Sequence, residues 1–273
     1  MLQKYTNKNY FKILFPVLIY CFNTGIFIFK YKKERKLKKE IYSIEINEKG
    51  KFLERPNRFI CEVELSDGKK VTAHVHDSGR IKELLYKGNI VSLRKAKDMS
   101  KRKTEWDLIS ANAPDNEEIL LNSSFHRYIS ENILKDSEIS PLGKIDSIKA
   151  EVKYSHSRLD YLIEKDNKKI WIEVKGVSLS ENKHAIFPDA PSSRACKHLE
   201  TLMELKEKGD RAGVLLLVFR DSNDFSPNWN TDSQFSETFY KALDKGVEVY
   251  LVQLKLENGK IYYTDKKIEI ISK

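Results

Sequence analysis

Asp160, Glu173 and Lys175 have the residue types and spacing for chemistry, because the hairpin that carries them has one register that keeps its apolar side chains together. Strand side chains alternate between faces, so Leu159, Tyr161 and Ile163 share one side of the first strand, and Ile170, Ile172 and Val174 one side of the second. A tight turn at Asp166-Asn167 pairs Ile163 with Ile170, Tyr161 with Ile172 and Leu159 with Val174, whereas a one-residue slip would turn one strand inside out. The same register sets Asp160 opposite Glu173. Carboxylates opposed with Cβ atoms about 5 Å apart repel, so the arrangement calls for a cation between them. Two oxygen ligands completed by water suit Mg²⁺ or Mn²⁺ better than zinc, which prefers nitrogen and sulfur. Lys175, two residues beyond Glu173 and paired with Arg158, can orient a metal-bound water or stabilise charge on a phosphoryl group. The competing reading is a solvated strand face with a cross-strand ion pair. The opposed Asp160 argues against it.

The elements that must position these groups can be read along the chain. Between Ile41 and Ser110 the pattern is β: Phe59, Cys61, Val63 and Leu65 alternate with polar residues, Ser66-Asp67-Gly68 turns the chain, and Val71, Ala73 and Val75 resume the alternation. Further strands are expected at 89–94 and 105–109, with one helical turn at 81–85. About five short strands in this length predict a small OB-like barrel over residues 41–112, an architecture often used for binding. Pro114-Asp115-Asn116-Glu117 marks a boundary, and residues 113–273 then read as mixed α and β. Ser123 or Ser124 caps a helix to about Leu134 that carries Glu131. Strands follow at 148–154 and in the hairpin. Ser192-Ser193 caps a helix with Cys196, Leu199, Leu202 and Met203 at helical spacing, ended by Gly209. The unbroken apolar run 212–219 reads as a strand covered on both faces. A helix using Phe235, Phe239 and Leu243 and a strand at 247–254 complete an α-β-β-β-α-β order with an added helix and strand.

A second group of residues points to phosphate. Arg194, Lys197 and His198 stand at i, i+3 and i+4 near the start of their helix, where the dipole adds positive potential. His74-Val-His-Asp-Ser-Gly-Arg80 gathers polar groups around a glycine that lets an anion approach. With Arg58 and Arg158, these residues form the expected nucleic-acid contact set: Arg58, His74, Arg80, Arg158, Arg194, Lys197 and His198. A solvated helix face and an ordinary turn are the plainer readings of the two clusters.

Composition bounds the rest. The chain has 273 residues, 40% hydrophobic content and a formal net charge of +9. Residues 1–40 hold ten Lys or Arg against two Glu, a net of +8, so residues 41–273 carry only +1. Polyanion binding by the folded body must therefore come from local clustering. Cys21, Cys61 and Cys196 are widely separated, which argues against a disulfide framework or zinc ribbon and for a reducing cytoplasm. The leader 1–40 contains an apolar stretch at 10–29, broken by Pro16, Asn23 and Gly25. It reads either as a membrane anchor that leaves the body on the cytosolic side or as an over-extended reading frame, with the protein beginning near Ile41.

From Ile41 to the C-terminus the chain resembles the sugar fermentation stimulation protein A family. The resemblance is carried by Arg55-Pro-Asn-Arg-Phe59, His74 with Asp77-Ser-Gly79, Arg102-Lys-Thr104 with Trp106, Glu151-Val-Lys-Tyr154 and Ser157-Arg-Leu-Asp160. It continues through Trp171-Ile-Glu-Val-Lys-Gly-Val177, Phe187-Pro-Asp-Ala190, Arg194, Lys197-His-Leu199 and Gly246-Val-Glu248. The resemblance implies an OB-like domain joined to a domain similar to PD-(D/E)xK nucleases, with DNA binding and a role in regulating sugar-utilisation genes. Its motif would fall on Asp160, Glu173 and Lys175, and Glu131 would match the helix carboxylate that many such folds add. Departures are His126-Arg127, where the family has Asn-Arg, and Ser192-Ser193-Arg194, where it has Thr-Glu-Arg.

Overall fold

The computed structural model describes residues 38–77, 79, 81–100 and 102–272, and within the leader only the backbone of two short strands. The chain divides into units 1–36 and 37–273. In the first, β1 (Pro16–Ile19) and β2 (Ile28–Tyr31) pair antiparallel. The expected anchor at 10–29 otherwise lies outside the described residues. Among the described residues no helix is long and apolar enough to cross a membrane.

The second unit begins with β3 (Lys38–Ser43), β4 (Glu48–Asn57), β5 (Ile60–Leu65), β6 (Lys70–His74), β7 (Ile90–Lys95), β8 (Trp106–Asn112) and β9 (Glu118–Leu120). Strands β4, β5, β6, β8 and β7 pair in that order, and β7 returns to β4, closing the five-stranded OB barrel. Closure leaves these strands no free edge within the ring. The turn expected at 81–85 is present, with Leu84 and Leu85 N–H both donating to Ile81 O.

The α/β part comprises α1 (His126–Lys135), β10 (Ser147–Tyr154), β11 (Ser157–Lys165), β12 (Lys168–Val177), β13 (Leu179–Glu181), β14 (His184–Phe187), α2 (Ser193–Glu207) and β15 (Arg211–Val218). It ends with β16 (Asp224–Pro227), α3 (Ser233–Asp244), β17 (Glu248–Glu257), β18 (Lys260–Thr264) and β19 (Glu269–Ile270). Its sheet runs β10-β11-β12-β15-β17, with the last three parallel, and continues through β9 into the barrel. One core cluster joins the barrel interior to the α1 side of this sheet, including Ile129, Ile133, Tyr161, Ile163, Ile170 and Ile172. A second fills the α2 and α3 side with Trp171, Leu199, Leu202, Val214 and Phe239. The apolar run 212–219 is therefore buried from both faces, as its composition required.

Helix starts follow local hydrogen bonding. Ser192 caps α2 by accepting from Ala195 N–H, and Asp232 caps α3 by accepting from Phe235 N–H. Before α1 the cap is Asn122 rather than Ser123 or Ser124: its side chain accepts from Ser124 N–H and starts a short 3₁₀ turn. A small sheet of β13, β14, β16 and β19, absent from the sequence reading, packs beside the main one.

A buried carboxylate holds the barrel strands together. Asp107, 1% exposed, accepts from Arg94 at 3.0 Å and Arg102 at 2.5 Å, and meets His76 Nε2 at 2.9 Å. Burial alone would raise its pKa, but hydrogen bonds from His76, Arg102 and Arg94 outweigh it and hold the carboxyl well below its ordinary range. Replacing it with Asn leaves the half-buried Arg94 and Arg102 under-compensated, and Asp107→Asn is expected to lower unfolding free energy by about 2 kcal/mol in urea titrations at pH 7. Because the folded-state pKa is depressed, this contribution is present above the unfolded value of about 3.9 and is lost as pH falls below it. The wild-type advantage should thus shrink below about pH 4. A gap independent of pH would show that the carboxylate charge is not what stabilises.

Candidate active-site cleft

The paired strands β11 and β12 keep the register expected from their apolar alternation, but only up to a point. Ile163 pairs with Ile170 and Tyr161 with Ile172, and there the ladder ends. Beyond it, Val174 N–H donates to Asp160 Oδ2 at 2.7 Å, so a side chain takes the hydrogen bond that the next strand pair would have made. On the other side of β11, Glu151 opposes Asp160 with φ of 56°, in the left-handed region that a non-glycine residue occupies at a cost of order 1 kcal/mol or more. The faces exchange at this kink. Ala150 and Tyr161 belong to the α1-side core, whereas Val152 and Leu159 belong to the α2-side core. The expectation that Leu159 shares a face with Tyr161 and pairs with Val174 is therefore corrected: alternation fails where the backbone is distorted.

Beside this kink a cleft of about 790 Å³ opens between the barrel and the α/β part. Asp160, Tyr161, Lys175 and Glu151 line it from the sheet, His126, Arg127 and Ser130 from α1, Asp189 and Arg194 from the α2 side, and Arg58, His76 and Gly79 from the barrel. Tyr161 hydroxyl donates to Arg127 O at 2.7 Å and lies 2.9 Å from Ser130 Oγ, tying the strand to α1 next to Asp160.

Glu173 sits one layer behind the cleft wall at 3% exposure, on the side covered by α2. Its Oε1 accepts from Lys175 Nζ and meets His198 Nδ1, while Oε2 is buried and makes no hydrogen bond among the described residues. Burial opposes its ionisation, but the His198 hydrogen bond and the Lys175 charge prevail and lower its pKa. Asp160 goes the other way. Burial, reinforced by the charge of Glu173, pushes it up to about 6 in spite of the Val174 N–H. Two neighbouring carboxyls with diverging proton affinities are a signature of functional sites.

The structure brings Asp160, Glu173 and Lys175 together and disperses other expected members. Glu131 is not in the cleft lining; it accepts from Lys135 one turn along α1. The helical cluster of Arg194, Lys197 and His198 does not act as one face: Arg194 lines the cleft, Lys197 is exposed outside it, and His198 is 6% exposed against Glu173. The start of α2 is buried on one side, and His198 falls on that side with Leu199 and Leu202. Arg158 is exposed and pairs with Glu151 at 3.0 Å. Arg58 reaches the cleft, and His74 lies outside it, beside His76. Arg80 lies outside the described residues. Among the described residues no group of three or more His, Cys, Asp or Glu forms a metal-holding cluster, so any cation here would rest on the two carboxylates and water.

His126 and Arg127 were visible in the sequence only as a departure from the family pattern, and Glu151 only as part of the Glu151-Val-Lys-Tyr154 match to it. Gly176 gave a local signal: a glycine directly after Lys175 in a strand marks a close approach. A Cβ there would lie 2.2 Å from His126 Cε1, and that ring stacks on Phe219 and is pushed by burial and by Lys175 to a pKa of about 4.

A closed OB barrel followed by an α/β domain, with a polar cleft lined by both, defines a two-domain protein. Comparison with known proteins makes the class specific. The model of the SfsA N-terminal OB domain matches residues 53–121, and that of the sugar fermentation stimulation protein RE domain matches residues 124–260. The chain belongs to the sugar fermentation stimulation protein family. A homolog from Thermosipho melanesiensis is 42% identical over 231 residues, covering 85% of this chain and 97% of its own. One from Methanosphaera stadtmanae is 41% identical over 229 residues, covering 82% and 93%. The solved structure of Pyrococcus furiosus SfsA in complex with Ca²⁺ superposes with a TM-score of 0.77 at 25% identity, covering 85% of this chain and 99% of that one.

The Gly176 contact is testable by a double-mutant cycle. Gly176→Ala is expected to destabilise by about 1–3 kcal/mol through overpacking, and most of that cost should disappear in a His126→Ala background. Additive costs would mean that His126 is not what Gly176 accommodates.

Proposed function

We propose that this chain binds DNA in the cleft and holds a divalent cation, Mg²⁺ or Mn²⁺, on Asp160 and Glu173 for hydrolysis of a phosphodiester. The observation that carries the reading is the convergence of these two carboxylates with Lys175, together with a Glu173 oxygen that is buried and unpartnered among the described residues. The donor set fits a hard cation: both groups offer oxygen, and the imidazole nearest to them, His198, is engaged with Glu173 Oε1. The Ca²⁺ complex of the Pyrococcus furiosus relative supports the same preference. When bound, such a cation acts as a Lewis acid on a phosphoryl oxygen and lowers the pKa of a coordinated water. The chain's own residues do the rest. Lys175, reaching the cleft while anchored to Glu173, places an ammonium where negative charge develops. Arg58, Arg127 and Arg194 line the cleft and supply phosphate contacts.

The second reading is a non-catalytic DNA-binding regulator of sugar-utilisation genes that keeps the scaffold. Its support is that Lys175 and His198 already engage Glu173 Oε1. Both readings suit a cytoplasmic protein, with a membrane tether only where the leader supplies one.

Incubation of the purified chain with single-stranded, duplex and branched DNA and Mn²⁺ is expected to give cleavage that EDTA, Asp160→Ala and Lys175→Ala each abolish. Mn²⁺ calorimetry should show a site that weakens at least about tenfold in Glu173→Gln. Cation binding without cleavage would favour the regulator; no cation binding would remove the enzymatic reading. Arg194→Ala should weaken DNA binding and reduce the magnitude of the salt slope by about one, whereas Lys197→Ala, outside the cleft, should change neither. Equal effects of the two would place DNA along α2 rather than in the cleft.

A further inference from the structure

The cleft has a roof, and the roof limits what can enter. His76 O accepts from Ser123 Oγ at 2.7 Å, attaching the barrel loop to the α1 wall. Three residues on, a Cβ at Gly79 would lie 2.1 Å from Asp189 Oδ2, so the same loop presses on the opposite wall. Arg55 braces it from within, donating to Asp77 O at 2.8 Å and to Gly79 O at 2.9 Å. A loop fastened at both sides leaves a cleft of about 790 Å³, within the range of pockets that take a compact ligand such as one or two nucleotides.

An aromatic path leads to this pocket from outside. Phe59 is 52% exposed on the barrel surface. Its ring is nearly parallel to that of His74, at 7° and 6.5 Å, and His74 meets His76 edge-on at 4.4 Å. His76 lines the cleft, as does Arg58, the neighbour of Phe59. The turn carrying Arg58 and Phe59 is held in place: Arg55 donates to Arg58 O at 2.6 Å, and Phe59 N–H donates to Asn57 Oδ1 at 2.9 Å. Burial, with the nearby His76 and Arg102, lowers the pKa of His74, so it offers a neutral ring and not a phosphate-pairing cation. A rigidly mounted, exposed aromatic side chain beside an arginine, adjoining a pocket that ends at Asp160 and Lys175, has the composition of a single-strand track: bases stack while cations follow the backbone.

The geometry points to single-stranded nucleic acid as the ligand class, with a base stacked on Phe59 and the strand passing Arg58 and His76 into the cleft. This rests on the proposed nucleic-acid function and narrows its substrate. Any nucleic acid offered as duplex must expose an unpaired stretch to reach Asp160.

The test is fluorescence anisotropy with the full chain in EDTA, so that binding is read without turnover. The probes are labelled twelve-nucleotide dT and rU strands and a blunt hairpin duplex of equal nucleotide number. At least one single strand should bind about tenfold or more tighter than the duplex, and comparison of dT with rU assigns DNA or RNA. Phe59→Ala should weaken single-strand binding by about tenfold with an unchanged salt slope, and Phe59→Trp should restore it. Arg58→Ala should instead reduce the magnitude of the slope by about one. Thermal unfolding of each variant checks the fold. Duplex bound as tightly as single strands, or no effect of Phe59→Ala, overturns the inference while leaving a cleft that binds DNA. Binding of none of the probes overturns both.

Discussion

The hydrogen bond from Val174 N–H to Asp160 is the constraint on which the site depends. In an uninterrupted ladder, strand β12 would pair with strand β11 through position 174, leaving no polar opening in the sheet. A carboxylate accepting from backbone N–H is a strong interaction, contributing roughly 1.5–3 kcal/mol where a charged group takes part. It compensates the lost ladder bond and keeps the backbone donor satisfied. The carboxylate is then buried beside Glu173, which pushes its pKa up to about 6. The interaction that opens the sheet also leaves the acid in an environment unfavourable to its charge, the condition under which a nearby cation is stabilising.

The kink also fixes what stands on each side. Because side chains exchange faces between Ala150 and Val152, and between Tyr161 and Leu159, both cores are anchored within two residues of Asp160. Tyr161 ties the opening to α1 through Arg127 O, and Glu173 ties it to α2 through His198. Neither helix can shift without breaking a buried polar contact, and such contacts are costly to leave unmade. The barrel is attached just as closely, since its interior and the α1 side of the sheet form one apolar cluster. The cleft is thus bounded by a single packed body.

Much of this was legible in the residues, for reasons that also explain the rest. Alternation over Tyr161, Ile163, Ile170 and Ile172 specifies register because one face is buried, and the structure keeps it. The caps at Ser192 and the strand at 212–219 follow from equally local signals. Leu159 was misassigned because periodicity assumes an undistorted strand, and nothing in Glu151-Val-Lys announces a left-handed residue. His198 was misassigned because helical spacing gives a face without saying which face is covered; the sheet, through Glu173, together with α3 from about forty residues downstream, decides that. The sheet of β13, β14, β16 and β19 escaped detection because its strands have two to four residues, too few for a period to show.

Glu173 shows why the two readings of the site share one geometry. Its Oε1 is occupied by an ammonium and an imidazole, and its Oε2 is buried with no hydrogen bond among the described residues. An anion committed wholly to structure would spread its charge over both oxygens, since each unsatisfied buried acceptor costs about 1–3 kcal/mol. Concentrating both donors on one oxygen keeps the carboxylate ionised, as its lowered pKa shows, while the other oxygen retains its lone pairs. Had His198 pointed outward with Lys197, Lys175 alone would have to hold the charge in that buried setting, and burial would favour the protonated acid. The inward turn of His198 therefore serves the carboxylate and not a phosphate, and it leaves Glu173 charged with an Oε2 that makes no hydrogen bond among the described residues.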